Sequence, residues 1–492
     1  MNYATFFQEI ATAGISIVCN FVVKSKKYKR EAVPFIRTSP PIALVFTVSK
    51  NFQKMKILLI SPAVDAEKRT NKWLMMPQLA LYILEGLTPA EHKVTILEEE
   101  AGAIDPDQEC DLVAISCMTA NAPRAYELCA AFRERGKTVV LGGVHPSILP
   151  DEAMQHADCV VVGEAEGVWE TLLDDFQNHN LQRKYHNPDP NLQKYVPKDF
   201  STVINKSKFH VIPVMTTRGC PYDCDFCCVT DLFGKKIRHI PIENVVRDIV
   251  ESGAKSFLFL DDNIIGHKKY AKELFRAIKP LKIKWGGQAS VSLLVEDDEL
   301  LQLAADSGCK SLFVGVESVS VEQLKTMRKG IKEIAQLESS LKKIKKMGIL
   351  IHASMVFGFD NDTKETFEET VAFLQKNKAS TASFNVLTPY PGTKVYENLK
   401  KENRLTTNDW KYYDHNTVVF QPKNMTPYEL QMGKVNARKR FYSIPSVMHR
   451  LFGNLYNPLT YFLMNYGHMK QVKVEARRID RLKSVLFENL HA

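Results

Sequence analysis

Thr216-Thr217-Arg218-Gly219-Cys220-Pro221-Tyr222-Asp223-Cys224-Asp225-Phe226-Cys227-Cys228 closes an apolar run, Val211–Thr216, that reads as a buried strand. The segment therefore falls on a loop at a strand's C-terminal end. Three thiolates at spacing three-then-two, Cys220, Cys224 and Cys227, can wrap one cubic [4Fe–4S] cluster and leave its fourth iron without a protein ligand. An iron left open can chelate a substrate or cofactor. The plainer readings are three unrelated cysteines or a structural zinc site. Structural zinc is usually closed by four ligands, often as two Cys-x2-Cys knuckles, and Cys228 adjoins Cys227 too closely to serve easily as the fourth.

Outward from this loop, apolar runs alternate with helical periodicity from His210 to Thr393. Strands are expected at Val211–Thr216, Ser256–Leu260, Lys284–Ala289, Ser311–Val314, Leu350–Phe357 and Ser380–Thr388, with helices between them. Six βα units predict a partial (β/α)6 barrel of TIM type over 210–393, with reactive groups at the strands' C-terminal ends. A second series spans 55–178, with strands at Lys56–Ser61, Val94–Leu97, Leu112–Ser116, Thr138–Leu141 and Cys159–Val162. These lack polar alternation, as parallel strands covered on both faces do, and predict a doubly wound, Rossmann-like α/β domain whose ligand lies beyond the strand ends. Residues 179–209 read as a linker, and 394–492 as a helical, basic and aromatic region with helices at Pro427–Phe441 and Val472–Leu486.

Composition narrows the function. Of a net charge of +9, +6 falls within residues 1–54, so the rest is close to neutral, and no recognisable RNA-binding module is present. Nucleic acid is therefore not an expected partner. Ten cysteines in 492 residues make no disulfide scaffold and favour a reducing, cytoplasmic setting. Ala11–Val23 is too short to span a membrane, and no Lys or Arg precedes it as in a signal peptide. Met55 opens a strand directly, which leaves 1–54 as an extension of uncertain standing.

Cys220-x3-Cys224-x2-Cys227, with Phe226 before the third Cys, resembles the signature of the radical S-adenosylmethionine (SAM) superfamily. The resemblance implies that SAM is chelated at the open iron and cleaved by one electron to a 5′-deoxyadenosyl radical. It also implies an external donor of flavodoxin or ferredoxin type. Asp261, Asp262 and Asn263 stand where the family holds the SAM amino group, in place of its more familiar Gly-Gly-Glu. Gln288 and Ser290, then Glu317 and Ser318, resemble segments contacting ribose and carboxylate, and Gly358 begins a turn like the adenine-contacting one. Singly, each is equally readable as turn chemistry or capping.

A doubly wound domain followed by such a barrel resembles the cobalamin-binding radical SAM class. That implies a corrinoid touched by Ser116, Gly142, Gly143, His145, Gly163 and Glu164, although the Asp-x-His-x-x-Gly motif of histidine-ligated cobalamin domains is missing. The part from Tyr390 onward resembles relatives in hopanoid and lipid biosynthesis, which implies methylation or related radical chemistry on a lipid or polycyclic small molecule. Two other readings stand beside it: a barrel without cobalamin whose first domain docks a partner, and a non-catalytic iron–sulfur protein. Phe452–Tyr466 mixes aromatic residues with nearby basic ones, as a helix on a membrane surface does, or one packed over the barrel mouth.

Overall fold

A computed structural model describes residues 54–64, 77–193, 211–326 and 333–482. All but the last residue of the expected extension, most of the linker and the end of the Val472–Leu486 helix lie outside these.

The first sheet contains β1 (Lys56–Ser61), β2 (Lys93–Glu98), β3 (Leu112–Ser116), β4 (Thr138–Gly142), β5 (Cys159–Val162) and β6 (Lys184–His186). Its order is β2-β1-β3-β4-β5-β6, every pair parallel, with β1 flanked by β2 and β3. The order of strand addition reverses between β1 and β3, which places the ligand crevice at their carboxyl ends. Runs such as Leu112-Val113-Ala114-Ile115 are buried on both faces, in two clusters of apolar side chains. β6 corrects one expectation. Lys184–His186 falls within the expected linker, whose periodicity is weak, yet it is the sheet's last strand, with Tyr185 buried between two exposed residues.

The second sheet contains β7 (Val211–Val214), β10 (Ser256–Phe259), β11 (Lys284–Ala289), β12 (Cys309–Glu317), β13 (Leu350–Phe357) and β14 (Thr381–Val386). A two-residue ribbon, β8 (Thr217–Arg218) with β9 (Arg238–His239), interrupts the series. The order β7-β10-β11-β12-β13-β14 is sequential and all parallel, and β7 and β14 are its two open edges. Alternation divides the side chains. Phe257, Phe259, Leu312, Val314, Ile351 and Ala353 join the main core, while Leu258, Phe313 and Leu350 form a separate cluster with Met464.

Met464 belongs to the long helix Pro458–Leu482, so the C-terminal region contributes to the second cluster. At the β14 edge, the Tyr442 hydroxyl accepts from the Ala382 N–H at 2.9 Å and donates to the Ala382 carbonyl at 2.6 Å. The helix Pro427–Phe441, opened by a Thr426/Glu429 capping box, packs along the same strand. It is pinned to Pro458–Leu482 by a buried charge group. Glu475 pairs with Lys434, and with Arg438 at 2.7 Å. Burial alone would raise the Glu475 pKa, but the two cations prevail and push it down to about 2 from 4.5.

Removing that carboxylate strands two buried cations. Glu475→Gln is expected to lower unfolding free energy by about 3–5 kcal/mol at neutral pH, read from denaturant titration. Because the folded pKa lies below the unfolded one, the deficit is full above pH 4.5 and shrinks as pH falls toward 2.

Candidate functional site

The cysteine loop leaves β7 through Thr216 and Thr217, and both are held by one buried carboxylate. Asp261, just past β10, accepts at Oδ1 from the Thr216 N–H at 3.0 Å, from the Thr216 and Thr217 hydroxyls at 2.7 and 2.6 Å, and from the Thr217 N–H. Burial nonetheless raises its pKa, and its Oδ2 is buried without a hydrogen-bond partner. Gly219 follows at φ +95°, and a Cβ there would lie 2.8 and 2.9 Å from the carbonyl oxygens of Lys236 and Gly234. Only glycine fits that close approach.

Beyond it Cys220, Cys224 and Cys227 are half-buried and free of disulfides, with the Cys227 N–H on the Cys224 carbonyl at 3.0 Å. Cys228 precedes the short helix Val229–Phe233, and burial pushes its thiol up to about 11. Among the described residues no group of His, Cys, Asp or Glu closes on a single ion. The ligands of a cubic cluster bind different irons and need no such convergence. The donor set therefore fits a cluster.

The loop is tied to neighbouring strand ends. Half-buried Asp262 receives the Gly219 N–H, and burial, reinforced by the charge of Asp261, pushes its carboxyl up to about 6. Asn263 Oδ1 accepts from the Ser290 N–H at 3.2 Å, and the Gln288 carbonyl accepts from the Ile264 N–H at 3.0 Å. The Ser290 hydroxyl lies 3.2 Å from that of Tyr222, inside the cysteine loop, and 3.0 Å from that of Ser292.

Glu317 ends β12 at φ +65°, beside a register shift against β13, and the Ser318 N–H reaches back to the Val316 carbonyl at 2.8 Å. A left-handed non-glycine at a bulge stores strain of the kind that gathers at working sites. Gly358 takes φ +105°, its N–H on Asp362 Oδ2 at 2.7 Å, and a Cβ would meet Leu430 and Phe420 at 2.9 Å. Its glycine identity thus follows from packing against the C-terminal region. Asp362, pushed up to about 6 by burial, escaped the sequence reading because only its neighbour lay in a motif.

At the first sheet, Ser116 and Gly142 end β3 and β4, and Gly143 at φ +100° leaves a Cβ only 2.5 Å from the Cys117 carbonyl oxygen. The Gly163 N–H donates to the Ser147 hydroxyl at 2.8 Å. His145 departs from expectation. It is fully buried, with Nδ1 3.4 Å from the Thr119 hydroxyl and Nε2 3.2 Å from Glu152, which also accepts from Tyr126 and from Trp410 of the C-terminal region. With both ring nitrogens engaged, His145 links Thr119 to Glu152 and, through Glu152, to Trp410, so a bond from its ring to cobalt would displace one of these partners. The glycine-lined strand ends fit the close approach of a corrinoid.

Glu164 departs as well. It pairs with Arg218 and with Arg238, the latter at 3.0 Å through Nη1, while Glu166 meets Arg218 at 2.5 and 3.0 Å. Burial would lower the Arg218 pKa, but the two carboxylates hold it above its usual value. These ion pairs bring the ends of both sheets face to face. The reading of each motif alone missed them, although Glu164-x-Glu166 and Arg218 each sat within a motif.

The family model of the Radical SAM superfamily matches residues 214–374, and that of the B12 binding domain matches 76–173. Bacteriochlorophyllide d C-12(1)-methyltransferase of Chlorobaculum tepidum is 32% identical over 84% of this chain and 93% of its own. The chain belongs to the cobalamin-binding radical SAM methyltransferases. Bacteriochlorophyllide d C-8(2)-methyltransferase of the same organism is 33% identical over 77% of this chain and 88% of its own. Hopanoid C-2 methylase of Rhodopseudomonas palustris is 25% identical over 68% and 66%. The fold matches TsrM from Kitasatospora setae, a radical SAM methyltransferase with cobalamin and a [4Fe–4S] cluster bound, at TM-score 0.64 and 15% identity over 87% of this chain and 100% of that one. The cofactors are a [4Fe–4S] cluster, SAM and cobalamin, against the readings without cobalamin or catalysis.

Asp261→Ala is expected to cost about 1–3 kcal/mol for each donor left buried and unsatisfied. It should also lower iron and sulfide per chain after anaerobic reconstitution, while Asp261→Asn, which keeps an acceptor oxygen, loses less. Full iron loading in Asp261→Ala would show that the loop does not need this anchor.

Proposed function

We propose that this chain methylates an unactivated carbon of an apolar polycyclic substrate, a chlorin-type macrocycle ahead of a hopanoid-type lipid. The observation that carries the reading is the set of strand ends bearing Asp262, Gln288 and Glu317, above a barrel interior closed below by the buried apolar cluster of Leu258, Phe313, Leu350 and Met464. Polar strand ends suit the cofactors, and the closed apolar interior below them keeps water from a radical. The near full-length likeness to two bacteriochlorophyllide methyltransferases favours the macrocycle over the lipid.

When bound, the cofactors supply a 5′-deoxyadenosyl radical and a cobalt-carried methyl group. In this reading Cys220, Cys224 and Cys227 hold the cluster. Asp262, Asn263, Gln288, Ser290, Glu317, Ser318 and Gly358 form the SAM site, Asp262 accepting from its ammonium, and Asp261 sets the loop's height. Ser116, Gly142, Gly143 and Gly163 let a corrinoid approach the backbone, with His145 and Glu164 behind them. The domains run over 55–178, extended to β6, then 210–393 and 394–492. Half-buried thiols near the surface suit an external one-electron donor of flavodoxin or ferredoxin type in the cytoplasm. No helix among the described residues is long and apolar enough to cross a membrane, and contact with the inner membrane face is peripheral.

Alanine at Cys220, Cys224 or Cys227 should each abolish the cluster's visible absorption and 5′-deoxyadenosine formation under dithionite, whereas Cys228→Ala keeps both. The reconstituted enzyme, given methyl-deuterated SAM, should label bacteriochlorophyllide d, read by mass spectrometry. Label in a hopanoid alone would move the substrate to the lipid class, and label in neither would overturn the polycyclic reading.

A further inference from the structure

Of eleven large hydrophobic side chains that stand exposed among the described residues, eight lie between Ile444 and Tyr466. Leu451–Met469 contains no Asp, Glu, Lys or Arg. The exposed residues are in helical phase. Ile444, Met448 and Phe452 follow one face of the helix Ile444–Leu451, and Leu459, Phe462 and Tyr466 one face of Pro458–Leu482. Phe452 is 75% exposed and Leu459 70%, as open as surface side chains become.

The segment beneath them is firmly seated. Arg450 is buried under the patch, donating to the carbonyls of Ala379, Ser380 and Phe441 at 2.8–3.0 Å and to Asn465, with its guanidinium 3.7 Å from the Phe441 ring. The Tyr456 hydroxyl donates to the Ile349 carbonyl at 2.9 Å, and Asn454 donates to that of Lys378 at 3.1 Å. The patch therefore lies where β13 and β14 begin, at the end of the barrel opposite the cysteine loop.

Cations border it. The Lys345 ammonium rests on the carbonyls of Asn377 and Lys378, Lys378 on His449, and Lys470 lies 4.7 Å over the Tyr466 ring. Burial and the neighbouring charge of Lys378 push Lys345 down to about 8, a cost that an anionic headgroup would relieve. Large apolar side chains, tyrosines at their margin and lysines around them match the acyl boundary and charged surface of an anionic bilayer. A second copy would set the same lysines against themselves.

We infer that Ile444–Tyr466, with Lys345, Lys378 and Lys470, docks the enzyme on an anionic lipid surface. The contact gives the peripheral membrane reading its residues, and its test needs neither substrate nor turnover. The full chain should float with phosphatidylglycerol–phosphatidylcholine vesicles, much less with phosphatidylcholine alone, and less as salt rises. Phe452→Glu with Leu459→Glu should weaken that binding by about tenfold or more, with circular dichroism and iron content unchanged. No flotation of the parent chain, or flotation unaltered in the double variant, overturns the inference. So does a dimer, seen by light scattering, that the double variant abolishes while vesicles capture neither protein.

Discussion

Arg218 is buried between Glu164 and Glu166, two residues before the first cysteine of the cluster loop. A guanidinium in that position must be paired, and both its partners belong to the other domain. The residue before it is fixed by Asp261 and the residue after it admits no side chain, so three consecutive positions answer to three parts of the molecule. The loop cannot be placed by its own barrel alone. Its position is a joint property of both sheets, and the charges at the clasp make displacement of either one costly.

The C-terminal region extends the same logic. Trp410 reaches the carboxylate that holds His145, so the C-terminal region touches the first domain as well as the barrel. Phe420 and Leu430 crowd Gly358, which fixes the turn after β13 from outside. Three regions that are separate in sequence thus meet at one end of the molecule, where the strand-end motifs are.

The cysteine spacing, the strand–helix alternation and the strand-end motifs were legible because each is a local pattern. Buried parallel strands announce themselves as continuous apolar runs, and the βα repeat then dictates order and handedness. What stayed hidden is non-local. His145 and Glu164 both looked free for a corrinoid, because Glu152 and Trp410 lie elsewhere in the chain and Arg218 and Arg238 come more than fifty residues after Glu164. Asp261 and Asp262 are adjacent and chemically alike, yet one is consumed by Thr216 and Thr217 while the other is half-exposed. No spacing rule separates them. β6 was missed because a three-residue edge strand carries too little periodicity to register.

A sheet of six strands in sequential order ends with a free rim, and free rims of backbone recruit other chains. The Tyr442 phenol meets both the donor and the acceptor of Ala382 on β14, standing in for one peptide of a missing neighbour, and a helix lies along the rest. The β14 rim is thereby closed to strand addition, and the segment that follows it turns back to the cysteine loop, where the Val395 N–H meets the Asp225 carbonyl at 3.0 Å.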